Sequence, residues 1–154
     1  MSISRESFEI AESFYRKARI KLDEARNHKE KANYPEAVSS AQECIEFSIK
    51  LIMLLLKGEY PKKHKFTDKD FKEILDKLPA ELSHVDLGRL YLISKFWAEM
   101  YTIAKYGSEE LGIGPEKLFK EEEAKIAIKH AEECEINAYR VLNRFRKQLI
   151  KASK

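Results

Sequence analysis

The 154-residue sequence predicts an all-α fold, an up-and-down bundle of four long helices plus one short helix. Apolar residues recur at spacings of three and four along most of the chain, which is the period of an amphipathic helix. Gly and Pro fall almost only where these periodic segments end. No segment of useful length shows the alternation of a half-buried strand. We therefore expect a single helical-bundle domain over residues 1–154.

The first two helices have readable boundaries. An apolar stripe from Phe8 to Ala25 predicts helix one over about Ser4 to Lys31. The segment Asn33 to Glu36 turns the chain and caps helix two, and Pro35 suits a first helical turn because its missing N–H costs nothing there. Gly58 stands where a helix needs a left-handed terminating residue, so we expect helix two to end there.

Further capping signals and prolines place the other helices. Thr67 to Asp70 opens the short helix, which Pro79 stops. Helix four is predicted from about Glu81 to Tyr106. Pro115 starts the last helical region, and its long terminal helix opens near Glu121.

Helix four is apolar on two sides. Ser83 and Asp86 form a capping pair at its start, and Gly107 ends it. A helix of this kind is either central in its bundle or shared with another subunit, so we expect a homodimer. One stripe consists of Leu87, Leu90, Tyr91, Ser94, Trp97, Ala98 and Tyr101, and the other of Ile93, Phe96, Met100 and Ile103.

Charge is abundant but nearly balanced, since 36% of residues are charged and the net charge is +3. The excess of Lys and Glu fits exposed helices with paired charges, or a thermophilic source. This net charge is too small to indicate nucleic acid by itself, but six basic residues and no acid lie between Arg140 and Lys154. That run is either a solvated helix end or a contact for RNA or an acidic partner.

Nothing in the sequence points to export or to a membrane. The N-terminus lacks the apolar core of a signal peptide, and the longest apolar run, Leu51 to Leu56, is far short of the roughly 20 residues that span a bilayer. Cys44 and Cys134 are expected to be buried free thiols in a reducing compartment, although a disulfide between their helices stays open. We expect a soluble, cytoplasmic protein.

Helix two carries a polar row on an otherwise apolar surface. Gln42, Glu46 and Lys50 are spaced at four and therefore share one face. Glu46 and Lys50 are expected to form a one-turn ion pair that is partly exposed, because a buried pair is costly. The basic turn Lys62 to Lys65, which contains His64, follows the helix directly.

This block resembles the HEPN family of small helical bundles. The family pattern is a small residue, then Gln, Glu and Lys at spacings of about four, an apolar run, and finally Gly, Pro and His. Weaker matches at Trp97 to Phe119 and in the terminal helix from Glu121 extend the resemblance over nearly the whole chain. The pattern reads here as Ala41, Gln42, Glu46, Lys50, Leu51 to Leu56, Gly58, Pro61 and His64.

The resemblance implies a non-catalytic protein that binds a nucleotide, RNA or a protein partner, without a cofactor. Family members that cut RNA carry Arg separated by four to six residues from His, and no Arg here has a His at that distance. We therefore expect no catalytic residue. The resemblance also implies homodimers and pairing with a minimal nucleotidyltransferase, often encoded alongside in a toxin–antitoxin-like arrangement.

The candidate ligand surface combines the basic turn with the end of helix four, which we expect at the same end of the bundle. A dense cationic cluster of this kind suits a phosphate or a nucleotide. His64 is alternatively a structural residue that hydrogen-bonds a backbone carbonyl and fixes the turn. The predicted ligand residues are Lys62, Lys63, His64, Lys65, Lys105 and Tyr106, supported by Gln42, Glu46 and Lys50.

The alternative function is a diverged metal-independent ribonuclease that uses His64 with Lys105 or with a lysine of the basic turn. The family often carries Arg-Tyr where this chain has Lys105 and Tyr106. A lysine keeps the charge but lacks the two-pronged guanidinium that holds a phosphate, which weighs against this alternative.

No metal site is expected. Glu81 and His84 have the Glu-x-x-His spacing of a di-iron bundle, but such a site needs two copies of the motif and the sequence has one. His28 and His130 lie on charged stretches and are expected to be solvated. The sequence contains no zinc-type Cys and His spacing, no P-loop and no Gly-x-Gly-x-x-Gly.

Overall fold

The computed structural model describes residues 3–153, and among them it contains helices and no strand. The prediction of an all-α bundle with four long helices is confirmed, and the short helix is α3. A 3-10 turn at Ala80–Leu82 and the single-turn helix α5 are additional. The helices are α1 (Arg5–Glu30), α2 (Tyr34–Lys57), α3 (Asp68–Lys77), α4 (Leu87–Tyr106), α5 (Pro115–Leu118) and α6 (Glu121–Ala152).

The central helix is α2, and α1, α3, α4 and α6 all pack against it. It is the most apolar segment of the chain, and 19 of its 24 residues are buried. The sequence had suggested helix four for a central or shared position, but α4 packs mainly on α2 and leaves Leu92 and Phe96 exposed. A helix apolar on two sides that is not central has one face without a partner in its own chain.

The predicted helix ends of α1, α2 and α3 are confirmed. Ser4 caps α1 by accepting a hydrogen bond from the Ser7 amide. Gly58 ends α2 in the left-handed conformation, with φ of 82°. Thr67 and Asp70 form the reciprocal capping box of α3. Asn33 stands at the N-cap of α2, although its side chain makes no capping hydrogen bond.

The predicted start of helix four was wrong by six residues, because α4 begins at Leu87 and not at Glu81. Glu81 lies in the 3-10 turn, and the chain then leaves helical geometry before Asp86. The Asp86 side chain accepts a hydrogen bond from the Arg89 amide at 2.9 Å, so this residue is itself the cap of α4. An aspartate side chain that bonds the backbone amides of the first turn favours the N-cap over a position inside the helix. The helix therefore starts after Asp86.

A tight turn follows α4. Gly107 has φ of 69°, and a Cβ at this position would overlap the carbonyl oxygen of Ile113. Ser108 and Ile113 pair across the turn through two backbone hydrogen bonds, at 2.9 and 3.1 Å. The turn therefore depends on glycine at 107, and it leads the chain back to α5 and α6.

Cys44 and Cys134 are buried free thiols, as predicted. Burial raises the pKa of the Cys44 thiol to about 12, and it raises the pKa of Cys134 as well. The Cys44 sulfur lies 3.8 Å from the Ala131 carbonyl oxygen, so it joins α2 to α6. Within residues 3–153, no helix combines the length and the hydropathy that crossing a bilayer requires.

Candidate ligand-binding surface

The polar row of α2 is buried rather than partly exposed. Lys50 Nζ lies 2.9 Å from Glu46 Oε2, and the two side chains are only 10% and 12% exposed. The expectation of partial exposure was wrong because α2 is the central helix and its neighbours cover this face. Gln42, one turn earlier, is also buried, and its Oε1 has no hydrogen-bond partner in the described chain.

His64 extends the buried pair to the surface. Its Nδ1 lies 2.9 Å from Glu46 Oε1, while the His64 side chain itself is 77% exposed. The partner of the imidazole is therefore a buried carboxylate and not the backbone carbonyl expected of a structural histidine. Since Glu46 accepts the Nδ1 proton, the Nε2 side of the ring is left to face solvent.

Tyr101 of α4, which was not among the predicted ligand residues, connects the two parts of the surface. Its ring is roughly parallel to the His64 ring, with 6.5 Å between centroids and 25° between planes. Lys105 Nζ lies 4.5 Å from the centroid of the same tyrosine ring. The interaction with Tyr101 raises the pKa of Lys105, so this amine stays charged at neutral pH.

The other predicted ligand residues spread out around this centre. Lys62 Nζ turns away to the Tyr60 ring, 4.8 Å from its centroid. Lys65 Nζ lies 3.5 Å from Glu99 Oε1 and so reaches α4. Lys63 and Tyr106 are exposed, and Tyr106 is 72% accessible. These four residues form the outer part of the surface, around the inner group of His64, Tyr101 and Lys105.

A cavity of about 300 Å³ opens beside Lys105. Ser39 and Ser40 of α2 line it, together with His28 at the end of α1 and Pro115 at the start of α5. This volume is at the lower end of the range for small-molecule sites, roughly 300–1,000 Å³. The cavity therefore has room for a small group, and its lining places the carboxylate of Glu36 as well as the cation of Lys105 beside that group.

A second polar cluster joins α4 to α6, and it was not predicted from the sequence. Arg89 Nε and Nη2 lie 3.0 and 3.3 Å from the Glu133 carboxylate, and Arg89 Nη2 lies 3.4 Å from His130 Nε2. Trp97 donates its indole N–H to His130 Nδ1 at 2.8 Å. The expectation that His130 is solvated was therefore wrong. No residue spacing signals this cluster, because Arg89 and His130 are 41 positions apart.

The second cluster has a structural role and is not arranged for proton transfer. Burial, and then the charge of Arg89, lower the pKa of His130. A neutral imidazole has one acceptor nitrogen, and Trp97 occupies it at the shorter distance. Glu133 holds the guanidinium of Arg89, and its own pKa is lowered by that contact. Arg89 and His130 thus pin α4 to α6.

The described residues contain no group of three or more His, Cys, Asp or Glu side chains that is placed to hold a metal ion. Glu81 and His84 are both exposed, on either side of the end of the 3-10 turn. The chemistry that the inner surface offers is thus cationic and aromatic. It can hold a phosphate with Lys105, stack a base on Tyr101 or His64, and present the Nε2 of an oriented histidine.

Fold and site together define an all-α bundle protein whose central helix ties a buried ion pair to a cationic, aromatic surface. A family model described as the HEPN domain matches residues 11–135. The chain belongs to the HEPN domain family, because this match covers most of its length.

Solved structures agree with the fold. TT1696 from Thermus thermophilus has a TM-score of 0.66 and 20% identity, over 85% of this chain and 97% of that chain. ST0689, an archaeal HEPN homologue, has a TM-score of 0.50 and 24% identity, over 90% and 96%. Both identities are low, so these structures support the fold alone. No curated protein matches the chain significantly.

Proposed function

We propose that this chain is a non-catalytic HEPN-type protein that binds a nucleotide or RNA at the surface centred on His64, Tyr101 and Lys105. The observation that carries the proposal is the contact between His64 and Glu46 at 2.9 Å. Glu46 is held in turn by Lys50 at 2.9 Å, so an exposed imidazole is fixed in orientation by the core of the bundle. An exposed side chain that is positioned in this way has little rotamer entropy to lose on binding.

The chemistry around His64 favours a phosphate-bearing ligand with a base. Lys105 supplies a permanent cation, and the rings of Tyr101 and His64 supply faces on which a base can stack. The 300 Å³ cavity beside Lys105 gives the ligand a second boundary. Lys63 adds positive charge at the rim, which attracts polyanions from a distance, whereas the charge of Lys65 is offset by Glu99.

The test is a titration of nucleotides and short RNA against the wild type and a His64→Ala/Lys105→Ala double variant. Binding to the wild type and a loss of about tenfold or more in the double variant are expected. A Lys69→Ala/Lys77→Ala variant is the control, because it removes a cation from each of two exposed positions on α3. Equal affinity of the wild type and the His64→Ala/Lys105→Ala variant would remove these residues from the site.

One observation favours the ribonuclease alternative. A histidine whose Nδ1 faces a carboxylate and whose Nε2 is free has the arrangement of a general base. Catalysis at the 2′-hydroxyl also needs a group that stabilises charge on the phosphate, and Lys105 lacks the two-pronged geometry of Arg. We expect no RNA cleavage in metal-free buffer. Cleavage by the wild type that disappears in His64→Ala would overturn the non-catalytic proposal.

We also propose that the chain forms a homodimer through α4 and pairs with a minimal nucleotidyltransferase. Leu92 and Phe96 support the dimer, because they are 57% and 52% exposed one turn apart on the same helix. The family membership supports the nucleotidyltransferase. A pull-down with the nucleotidyltransferase encoded nearest this chain tests the pairing, and failure to co-purify at micromolar concentration would contradict it.

A further inference from the structure

A groove between α1 and α6 carries a separate set of aromatic and basic side chains. Its volume is about 460 Å³, and α4 contributes no residue to it. It is therefore distinct from the surface centred on His64. The groove is lined by Tyr15, Arg19, Glu135, Ile136, Tyr139 and Arg140.

The two tyrosines of the groove form a fixed aromatic floor. Their ring centroids are 5.7 Å apart with 40° between the planes, and Tyr139 is 41% exposed. Tyr15 donates its hydroxyl to Glu135 Oε1 at 2.5 Å, which ties α1 to α6 and holds its ring in place. Burial and this hydrogen bond raise the pKa of Tyr15. The hydroxyl of Tyr15 thus engages the only carboxylate in the lining.

Cations flank the tyrosines. The Arg19 guanidinium lies 6.0 Å from the Tyr15 centroid, and Arg140 borders the groove from α6. Lys147 and Lys151 follow Arg140 at seven and eleven positions, which places them on the same side of α6. None of these four side chains forms an ion pair within residues 3–153. The row from Arg140 to Lys151 spans about 16 Å along the helix axis.

We propose that this groove binds single-stranded RNA, with a base against Tyr139 and phosphates along Arg19, Arg140 and Lys147. An acidic peptide would need the cations alone, whereas exposed aromatic rings beside a linear row of cations suit a strand whose bases are unstacked. The proposal is independent of the His64 surface. It also gives the basic end of α6 a role that a solvated helix end would not have.

The experiment is fluorescence anisotropy with a labelled oligouridylate at two salt concentrations. An Arg19→Ala/Arg140→Ala variant is expected to bind about tenfold or more weakly and with a smaller salt dependence. Lys69→Ala/Lys72→Ala removes the same net charge from α3 and is expected to change affinity less than about twofold. Tyr139→Ala is expected to weaken binding about fivefold or more, while Tyr139→Phe keeps the ring and the affinity. Circular dichroism of each variant checks that it is folded.

Each result decides for or against the groove. Equal weakening in the groove variant and the α3 variant would mean that net charge alone holds the RNA, and would overturn the proposal. Displacement of the RNA by polyglutamate at equal charge concentration would also overturn it, because stacking would then contribute nothing. Loss of binding in His64→Ala/Lys105→Ala, with no loss in the groove variants, would assign the RNA to the other surface only.

Discussion

Replacing Lys50 with Met tests the structural basis of the binding surface. The variant keeps the length and the apolar stem of the side chain but leaves the Glu46 carboxylate buried without its lysine, with the exposed His64 as its remaining partner within residues 3–153. Breaking a buried pair by removing one partner typically costs about 3–5 kcal/mol. Both side chains are nearly inaccessible, so solvent screens little of this cost. For a chain of this size the melting temperature should fall by roughly 6–20 °C.

The chain offers a matched control for this substitution. Lys72 and Asp76 form an ion pair with the same spacing of four, at 3.0 Å, but their side chains are 72% and 59% exposed. Lys72→Met is expected to cost only about 0.3–0.5 kcal/mol, because water screens an exposed pair. The difference between the stability losses of Lys50→Met and Lys72→Met therefore measures how burial changes the contribution of an ion pair with a spacing of four.

The assay is urea unfolding followed by far-ultraviolet circular dichroism. A Glu46→Met/Lys50→Met variant removes both charges, and it is expected to recover most of the lost stability because no charge is left buried. An equally small loss of unfolding free energy in Lys50→Met and Lys72→Met would refute the expected cost of an unpaired buried charge. A double variant as unstable as Lys50→Met would show that packing, and not the unpaired charge, sets the cost.

Three further outcomes are expected. The pKa of His130 is lowered in the folded state, so below about pH 6.5 the unfolded chain binds a proton that the folded chain does not. The free energy of unfolding should therefore fall as the pH drops below this value. A His130→Gln variant with the same pH dependence would contradict this. Cys44 and Cys134 are fully buried, and burial also raises the pKa of both thiols. They should therefore react with a thiol reagent only as fast as the protein opens, and rapid labelling of the native protein would disprove this. Light scattering at micromolar concentration should give twice the chain mass of 18.0 kDa, and Phe96→Glu should return it to one chain; a monomeric wild type would remove the dimer.

The sequence was sufficient for what is decided locally. The ends of α1, α2 and α3 follow from Ser4, Gly58 and the Thr67 capping box, because each cap acts within one helical turn. Asp86 shows the limit of this reasoning, since the same residue type suits both a cap and a first turn. The existence of the polar row on α2 was also readable from its spacing of four.

The sequence was insufficient for what depends on packing between distant segments. The burial of Glu46 and Lys50 depends on which helix becomes central, and the two apolar sides of helix four were equally consistent with a central or a shared position for that helix. Tyr101 joins the ligand surface only because α4 returns alongside α2. The assignment of His64 and Lys105 to a ligand site, and the single domain over residues 1–154, stay predictions that binding and proteolysis experiments can test.

The central position of α2 has a consequence for the order of folding. α1 and α2 are separated by three residues, and they make the most extensive helix pair in the described chain. Local contacts of this kind cost little loop-closure entropy, so we expect this hairpin to form first and α6 to dock afterwards. Substitutions between α1 and α2 should then slow refolding, whereas substitutions on α6 should mainly hasten unfolding. During synthesis, most of the HEPN pattern residues would be in place before the last helix leaves the ribosome.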